Sequence, residues 1–401
     1  MSGLISLATT ALGLTSDEPT ADTVSIEIKG TRFQGWKGVQ IHTSCETIPN
    51  SWTVTASTQF MQGPALAGTR PGQACKILIG DDVVITGWID RRFISANAHG
   101  HDVILSGRGL TRNLVDCSAS LKKDDAVLSN LTAPNALEFA KRLCEPFGIE
   151  AISAVSDLGK KIGSIVPNLG ETPYQLIESV AQYAGFLVFE NAKGQLVLDR
   201  VGTKTMGSGF LMPGNIEAIH AERSVDNRYS DYYVVWTSID TLKETTPIGN
   251  ARAHEIDKEM RKTEWRPLIL VSGQNVPDAD FGQQLAKWNM ARRIGRSQAA
   301  SVVCDSWRDS KGKLWTPNML ATIDAPLADI AGATWIIGSV TFRKDLGGTH
   351  CDLQLMPPDA FSPNPSPLNL MDRETDAARP TSDAPRPPST QGQIAGPGHP
   401  A

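Results

Sequence analysis

Basic side chains occur in three close groups whose spacing could bind an anion such as phosphate. The groups are Arg91 with Arg92; Arg261 and Lys262 with Arg266; and Arg292 and Arg293 with Arg296. In a helix, Arg292 and Arg296 lie one turn apart and can act on one ligand. Surface charge and ion pairs between subunits use the same residue types, so both interpretations stay open at this point.

Histidines and carboxylates give little indication of catalysis or metal binding. His99 and His101 form the one close histidine pair, and two ligands on a turn rarely hold a metal ion alone. Asp81-Asp82 is typical of a turn, and Lys122–Asp125 of a charged linker. The sequence contains no phosphate-binding glycine loop, no GxSxG and no HExxH. We therefore predict no catalytic residue, no cofactor and no metal site.

The composition is that of an acidic globular protein with two to four domains. The 401 residues carry a net charge of -5 and are 40% hydrophobic. A protein that grips DNA over a wide face is normally basic, which this chain is not. The six cysteines are scattered without a CxxC pair, so we expect reduced, mostly buried thiols. No run approaches the ~18 apolar residues that a membrane helix needs.

Short strands of alternating polarity dominate the first part of the chain, from about 22 to 116. They are Val24–Gly30, Gly35–His42, Ser51–Ser57, Cys75–Ile79, Val83–Ile89 and Asp102–Arg108. Turn signals such as Pro71-Gly72 stand between them. Many short strands at regular spacing predict a small β-barrel or sandwich.

Helical signals appear in the next segment, about 120 to 201, which we predict to be an α+β module. In a helix over 135–144, Leu137, Ala140, Leu143 and Cys144 share one face. A second helix has Thr172 as N-cap, followed by Pro173-Tyr174-Gln175. Gly185 ends it, and a strand, a turn and a strand follow.

The remaining chain is predicted as a second β-barrel domain between two other kinds of segment. The barrel covers 202–358, includes a strand at Tyr232–Trp236, and has a helical insertion near 278–295. Residues 1–21 have the apolar stripe of a short helix followed by a polar linker. Residues 359–401 form a Pro-rich tail that we expect to be disordered or extended along a neighbour.

A Trp-Ile pair stands near the end of each β-rich region. The pairs occur in Thr86-Gly87-Trp88-Ile89 and in Thr334-Trp335-Ile336, and a strand of alternating pattern follows each of them. This similarity hints at two related barrels within the chain.

Four runs of sequence resemble, in the same order, the baseplate hub proteins of Mu-like contractile-tailed phages. They are Leu105–Ala119; Ser224–Val235; Trp288–Ser297 with Leu314–Asn318; and Val340–Phe361. Each run alone is a weak signal, but four in order over about 22 to 361 are specific. The N-terminal helix and the long Pro-rich tail depart from the core of the family, and we expect them to contact neighbouring baseplate proteins.

The resemblance implies a structural protein without enzymatic activity. Such hubs are homotrimers whose two barrels per subunit form a pseudo-sixfold ring between the sixfold tail tube and the threefold spike. DNA passes through the lumen during genome ejection without sequence-specific binding. The expected partners are the spike protein, tail tube or distal tube-adaptor proteins, baseplate wedge proteins and the tape-measure end. The expected location is the virion tail baseplate, after assembly in the host cytoplasm.

In a ring of this kind, the candidates for lumen or intersubunit charge are Arg292, Arg293, Arg296, Arg261 and Lys262. Two other interpretations remain. The chain could be the equivalent hub of a tail-derived particle or secretion system, which sequence cannot distinguish. A cell-wall-binding or hydrolysing tail protein would need a carboxylate pair or a wall-binding repeat, and neither is evident.

Overall fold

The computed structural model describes residues 22–57, 69–97, 100–119, 131–159, 161–165, 167–236, 251–271, 279–345 and 347–365. The predicted N-terminal helix lies outside the described residues. So does most of the predicted tail, from 366 onward.

The first β region consists of seven antiparallel strands. They are β1 (Val24–Ile28), β2 (Thr31–Phe33), β3 (Trp36–Ser44), β4 (Ser51–Ser57), β5 (Ala74–Ile79), β6 (Asp82–Asn97) and β7 (Gly100–Gly109). They pair in the order β2-β1-β5-β6-β7-β4-β3. In β4, Trp52, Val54 and Ala56 alternate with less buried neighbours and point into the core, as the sequence pattern predicts.

An α+β module follows. Its elements are α1 (Arg112–Asp116), β8 (Leu131–Ala133), α2 (Ala136–Cys144), β9 (Ala151–Ser153), β10 (Ile162–Ile165), α3 (Pro173–Ala184), β11 (Leu187–Glu190) and β12 (Leu196–Asp199). The predicted capping box of α3 is present, because Thr172 and Gln175 bond each other's backbone N–H. In α2 the buried face contains Phe139, whereas Leu137 is only partly buried, so the predicted face is rotated toward Phe139.

The second β region uses β13 (Lys204–Thr205), β14 (Phe210–Leu211), β15 (Ile216–Arg223), β19 (Gln298–Cys304), β20 (Met319–Ala325), β21 (Ile330–Asp345) and β22 (Gly348–Met356). An insertion separates β15 from β19. It contains β16 (Asp231–Trp236), β17 (Ala251–Ile256), α4 (Lys258–Thr263), β18 (Pro267–Val271) and α5 (Ala279–Arg296). Tyr232–Trp236 therefore lies in a separate three-stranded sheet, β17-β16-β18, and not among the barrel strands.

The two β regions repeat one strand arrangement. The order β3-β4-β7-β6-β5 in the first matches β15-β19-β22-β21-β20 in the second. Irregularities of register recur at equivalent positions of three strand pairs, for example between Ile89 and Arg91 and between Ile337 and Ser339. When the closing pairs of the two hairpins, Asn97–Gly100 and Asp345–Gly348, are aligned, Trp88 is equivalent to Ile336. The two tryptophans are therefore one position out of equivalence.

The second region joins the first through β21. Along one side of β21, Leu320 to Ala325 of β20 pair with its first half, and β3 pairs with Ser339–Lys344 of its second half. The described strands of neither region close into a ring; both belong to one continuous sheet. A single apolar core runs through both, from Ile26 and Ile41 to Phe342 and Leu355. The predicted mainly β fold with an α+β part is thus confirmed, with open, joined sheets in place of two closed barrels.

Candidate functional site

The end of α5 holds two of the predicted basic residues, Arg292 and Arg296. Arg292 donates to the Ser362 carbonyl at 2.7 Å and lies 3.3 Å from the Glu46 carboxylate. Arg296 donates to the Ala360 carbonyl at 3.1 Å and also pairs with Glu46. The two guanidinium groups act together, as helical spacing predicts, but on groups of their own chain.

These arginines fix the last described part of the chain, the C-terminal segment (358–365). Trp288 adds a hydrogen bond to the Ser362 carbonyl at 2.8 Å, and Phe361 is fully buried. Gly295 permits the close approach, since a Cβ there would lie 2.4 Å from the Ala360 nitrogen. Burial and the neighbouring Arg296 lower the pKa of Arg292, and Glu46 opposes the shift. The sequence run Trp288–Ser297 therefore encodes a clamp on this segment.

The other three predicted residues bind other parts of the chain. Arg293 donates to the Asn227 carbonyl at 3.2 Å. Arg261 pairs with Asp231 at 3.1 Å, and Lys262 pairs with Glu259 at 3.2 Å on α4. The five residues therefore do not form one basic patch. A role for any of them in a lumen or between subunits stays a prediction.

A surface cleft of about 390 Å³ lies beside the clamp. Its lining includes Arg292, Arg293 and Arg296 as well as Glu222 and Asp226. Mixed charge of this kind suits protein–protein contact better than a polyanion, because a phosphate would meet the carboxylates as well as the guanidinium groups.

Ser230, Asp231 and His254 lie close together in the insertion, but their hydrogen bonds are not those of a nucleophilic triad. The Ser230 hydroxyl donates to the Asp231 carboxylate at 2.7 Å and accepts the Arg266 N–H at 2.8 Å. His254 lies 2.8 Å from the same fully buried carboxylate. Burial works to raise the pKa of Asp231, but these hydrogen bonds and the charge of Arg261 outweigh it and lower the pKa. The Asp231 carboxylate connects parts of the insertion, and the Ser230 hydroxyl donates to this carboxylate and not to the His254 ring.

Glu190 is a buried carboxylate that the sequence analysis missed. It ends β11 and accepts the Asn50 N–H at 2.9 Å and the Thr111 N–H at 3.0 Å. Its backbone carbonyl accepts the Asn50 amide at 3.1 Å. Burial raises the pKa of Glu190 to about 7, and the two backbone donors oppose that shift. Glu190 thereby joins the α+β module to the β3–β4 connection and to the end of β7.

The run Leu105–Ala119 gains a physical explanation from this junction. A Cβ on Gly109 would lie 1.9 Å from the Glu190 carboxylate, and one on Gly107 would lie 2.0 Å from the Trp88 carbonyl. Arg108 pairs with Asp90 and Asp116. The glycines make room for the junction, and the charged residues connect β7 to α1.

The cysteines of the chain are free thiols. All six cysteines are free, and five are buried. Burial raises the pKa of Cys45, Cys75 and Cys144 to about 12, so these thiols are protonated and unreactive near neutrality. His99 lies outside the described residues. Among the described residues, no group of three or more potential ligands could hold a metal ion, and no helix is long and apolar enough to span a membrane.

Solved structures similar to this one include two tail proteins. The 43 kDa tail protein of prophage MuSo2 from Shewanella oneidensis is 26% identical, with a TM-score of 0.73 over 84% of this chain and 99% of that one. The tail protein from Neisseria meningitidis MC58 is 21% identical, with a TM-score of 0.68 over 87% of this chain and all of the other. The fold thus defines the class of tail structural proteins.

Models of protein families match three segments of the chain and identify the kind of tail protein more closely. Residues 23–109 match the N-terminal domain of Mu phage baseplate assembly protein GpP-like proteins, and 279–364 match the fourth domain of GpP. Residues 111–200 match the second domain of gp44-like baseplate hub proteins. The baseplate hub protein gp44 of Escherichia phage Mu is 27% identical over 357 residues, which cover 85% of this chain and 89% of gp44. The chain belongs to the Mu-like baseplate hub family, and its role is structural.

Proposed function

We propose that three copies of the chain form a ring that is the central hub of a phage tail baseplate. The ring joins the sixfold tail tube to the threefold spike, and DNA passes through its lumen. The observation that carries this proposal is the repeat within the chain. Two β regions with the same strand order are joined edge to edge, so three subunits present six similar units.

The proposed division of labour follows the chain. Residues 22–116 and 202–358 supply the two ring units, and 120–201 forms a module braced against the first unit by Glu190. The spike and the tail components are the expected partners, including tube or adaptor proteins, wedge proteins and the tape-measure end. The segments 1–21 and 359–401 are the candidates for contacts specific to this hub. The Arg292–Arg296 clamp fixes where the second of them leaves the folded part.

DNA passage requires no binding site of its own. The net charge of -5 and the intrachain pairing of Arg292, Arg296 and Arg261 fit a lumen that does not hold a polyanion. The chain acts without a catalytic step in this proposal, and the particle is assembled in the host cytoplasm before it becomes part of the virion.

Mass in solution tests the proposal. Sedimentation or mass photometry of the purified chain should give a species of three times 43.2 kDa, and negative-stain images should show a ring with a central opening. A chain that stays monomeric at high concentration would count against the hub. Clearing of peptidoglycan in a zymogram would instead favour a cell-wall hydrolase.

A further inference from the structure

In the large sheet, the second part of β6 and the outer side of β15 each have an edge that pairs with no described strand. β6 pairs with β5 only through its first part, up to Trp88, whereas residues 91–97 pair with β7 on one side alone. β15 is the last strand of the sheet and pairs only with β19. Large apolar side chains stand on the first of these edges, since Phe93 is 61% exposed and Ile94 is 42% exposed. Exposed apolar strand edges in a soluble protein indicate a partner strand.

The junction inside the chain shows what covers such an edge. The second half of β21 is the equivalent of the free part of β6, and it pairs antiparallel with β3. There Phe342 stands opposite Ile41, and the exposed fractions of the two side chains are 1% and 0%. β3 is in turn the equivalent of β15. The chain therefore contains one completed contact of this kind, between β21 and β3, while the equivalent edges of β6 and β15 pair with no described strand.

The repeat fixes the register of the open contact. The hairpin of β6 and β7 closes at the pair Asn97–Gly100, and the hairpin of β21 and β22 closes at the pair Asp345–Gly348. Aligning these two closing pairs makes Ile94 equivalent to Phe342. β15 pairs with β19 as β3 pairs with β4. Ala221 pairs with Ala300, and Ile41 pairs with Trp52, which is the equivalent of Ala300, so Ala221 is the equivalent of Ile41. The pair Phe342–Ile41 therefore translates into Ile94–Ala221.

We propose that residues 91–96 of β6 in one subunit add to residues 219–224 at β15 of a second copy of this chain. The strands are antiparallel, with Arg91 opposite Ser224, Arg92 opposite Arg223, Phe93 opposite Glu222, Ile94 opposite Ala221, Ser95 opposite His220, and Ala96 opposite Ile219. The contact runs head to tail, so each subunit gives one edge and receives the other, and a closed ring leaves neither edge free. This inference rests on the proposed ring and specifies how its subunits meet.

This register brings apolar side chains together at one position, places opposite charges near each other at a second, and opposes like charges at a third. Ile94 and Ala221 lie on the face that is buried at the internal junction, so pairing would cover the exposed isoleucine. On the other face, Arg91 is the diagonal neighbour of Glu222, which is within reach of a long side chain. On the face of Ile94 and Ala221, Arg92 stands opposite Arg223, a like-charged pair that opposes the pairing, although Arg223 is already bound to Asp329 at 3.2 Å.

Paired cysteines test the register in the full-length chain. Directly opposed residues of antiparallel strands have Cα atoms about 5 Å apart, a distance that a disulfide spans. The double variant Ile94→Cys with Ala221→Cys should form covalent dimers and trimers on mild oxidation with copper phenanthroline. The slipped pair, Ile94→Cys with Glu222→Cys, points its thiols to opposite faces and should remain monomeric on a denaturing gel. The unmodified chain controls for its six native cysteines.

Mass photometry of each variant before oxidation tests formation of the trimer separately from the register of the paired strands. A trimer that cross-links through the in-register pair and not through the slipped pair supports the proposal. A trimer that fails to cross-link through Ile94 and Ala221, or cross-links better through the slipped pair, means that something else covers the β6 edge, and overturns the inference while the hub stands. An unmodified chain that never forms a trimer overturns both.

Discussion

Replacing Glu190 should loosen the connection between the α+β module and the first β region. In Glu190→Ala the buried Asn50 and Thr111 N–H groups lose their acceptors. Each buried donor without a partner costs about 1–3 kcal/mol. We therefore expect a loss of roughly 2–6 kcal/mol in the free energy of unfolding. Glu190→Gln keeps one acceptor oxygen and should lose about half of that amount.

The pH dependence provides a second, sharper signature. The pKa of Glu190 rises from 4.5 to about 7 on folding, so the folded state keeps a proton that the unfolded chain releases. Rising pH therefore favours unfolding across this window, by about 3 kcal/mol in total at 1.36 kcal/mol per pKa unit. Below pH 4.5 both states are protonated and the effect vanishes. Glu190→Gln, which does not titrate, should lack this part of the slope.

Urea unfolding followed by tryptophan fluorescence between pH 4.5 and 8 measures both effects. Glu138→Gln is the matched control, because Glu138 pairs with Lys141 on the surface of α2 and its loss should cost less than about 0.5 kcal/mol. The reasoning fails if Glu190→Gln shows the same pH slope as the unmodified chain. It fails equally if Glu190→Ala is no less stable than the control.

Three further predictions concern the sheet and the clamp. Gly107→Ala would bring a Cβ to 2.6 Å from the Trp52 ring and should lower the melting temperature sharply, whereas Gly38→Ala, with 3.7 Å to its nearest neighbour, should change it little. Ile94→Lys should weaken the trimer in sedimentation experiments by charging a strand edge, and Leu327→Lys, at a residue 90% exposed, should leave it intact. Arg292→Ala should speed hydrogen exchange in the C-terminal segment while exchange in the α+β module stays unchanged.

Local signals predicted much of the fold. The capping box at Thr172 and Gln175 is a short-range pattern that tertiary contacts did not override. The strands of the first β region followed from alternation alone. The buried face of α2 was placed less well, since Phe139 and Leu137 both fit a helical stripe and only packing against the module's own core decides between them.

The pairing of strands that are distant in the chain could not be predicted from the sequence. Tyr232–Trp236 has the alternation of any strand, and nothing local assigns it to a separate sheet with β17 and β18. The two Trp-Ile pairs correctly pointed to a repeat, but the closure of the hairpins puts Trp88 and Trp335 one residue out of register. Glu190 could have been noticed as a lone carboxylate ending an apolar run, yet its partners lie 79 and 140 residues away.

The basic residues show a similar limit. Helical spacing brought Arg292 and Arg296 together, but their ligands are Glu46, about 250 residues earlier, and two backbone carbonyls. Backbone carbonyls have no signature in a sequence, so an intrachain clamp and an anion site are indistinguishable at that stage.

The insertion lies between the two strands that are equivalent to β3 and β4. β3 and β4 are joined by the short connection 45–50, whereas their equivalents β15 and β19 are joined by the whole of 224–297. Arg292 and Arg296 of the long connection reach Glu46 of the short one, so both leave the sheet at the same end. A hub built in this way can exchange what it displays there without altering the spacing of its strands. The same site is accordingly a graft point, where protein engineers could attach a foreign domain to every subunit while the scaffold keeps its symmetry.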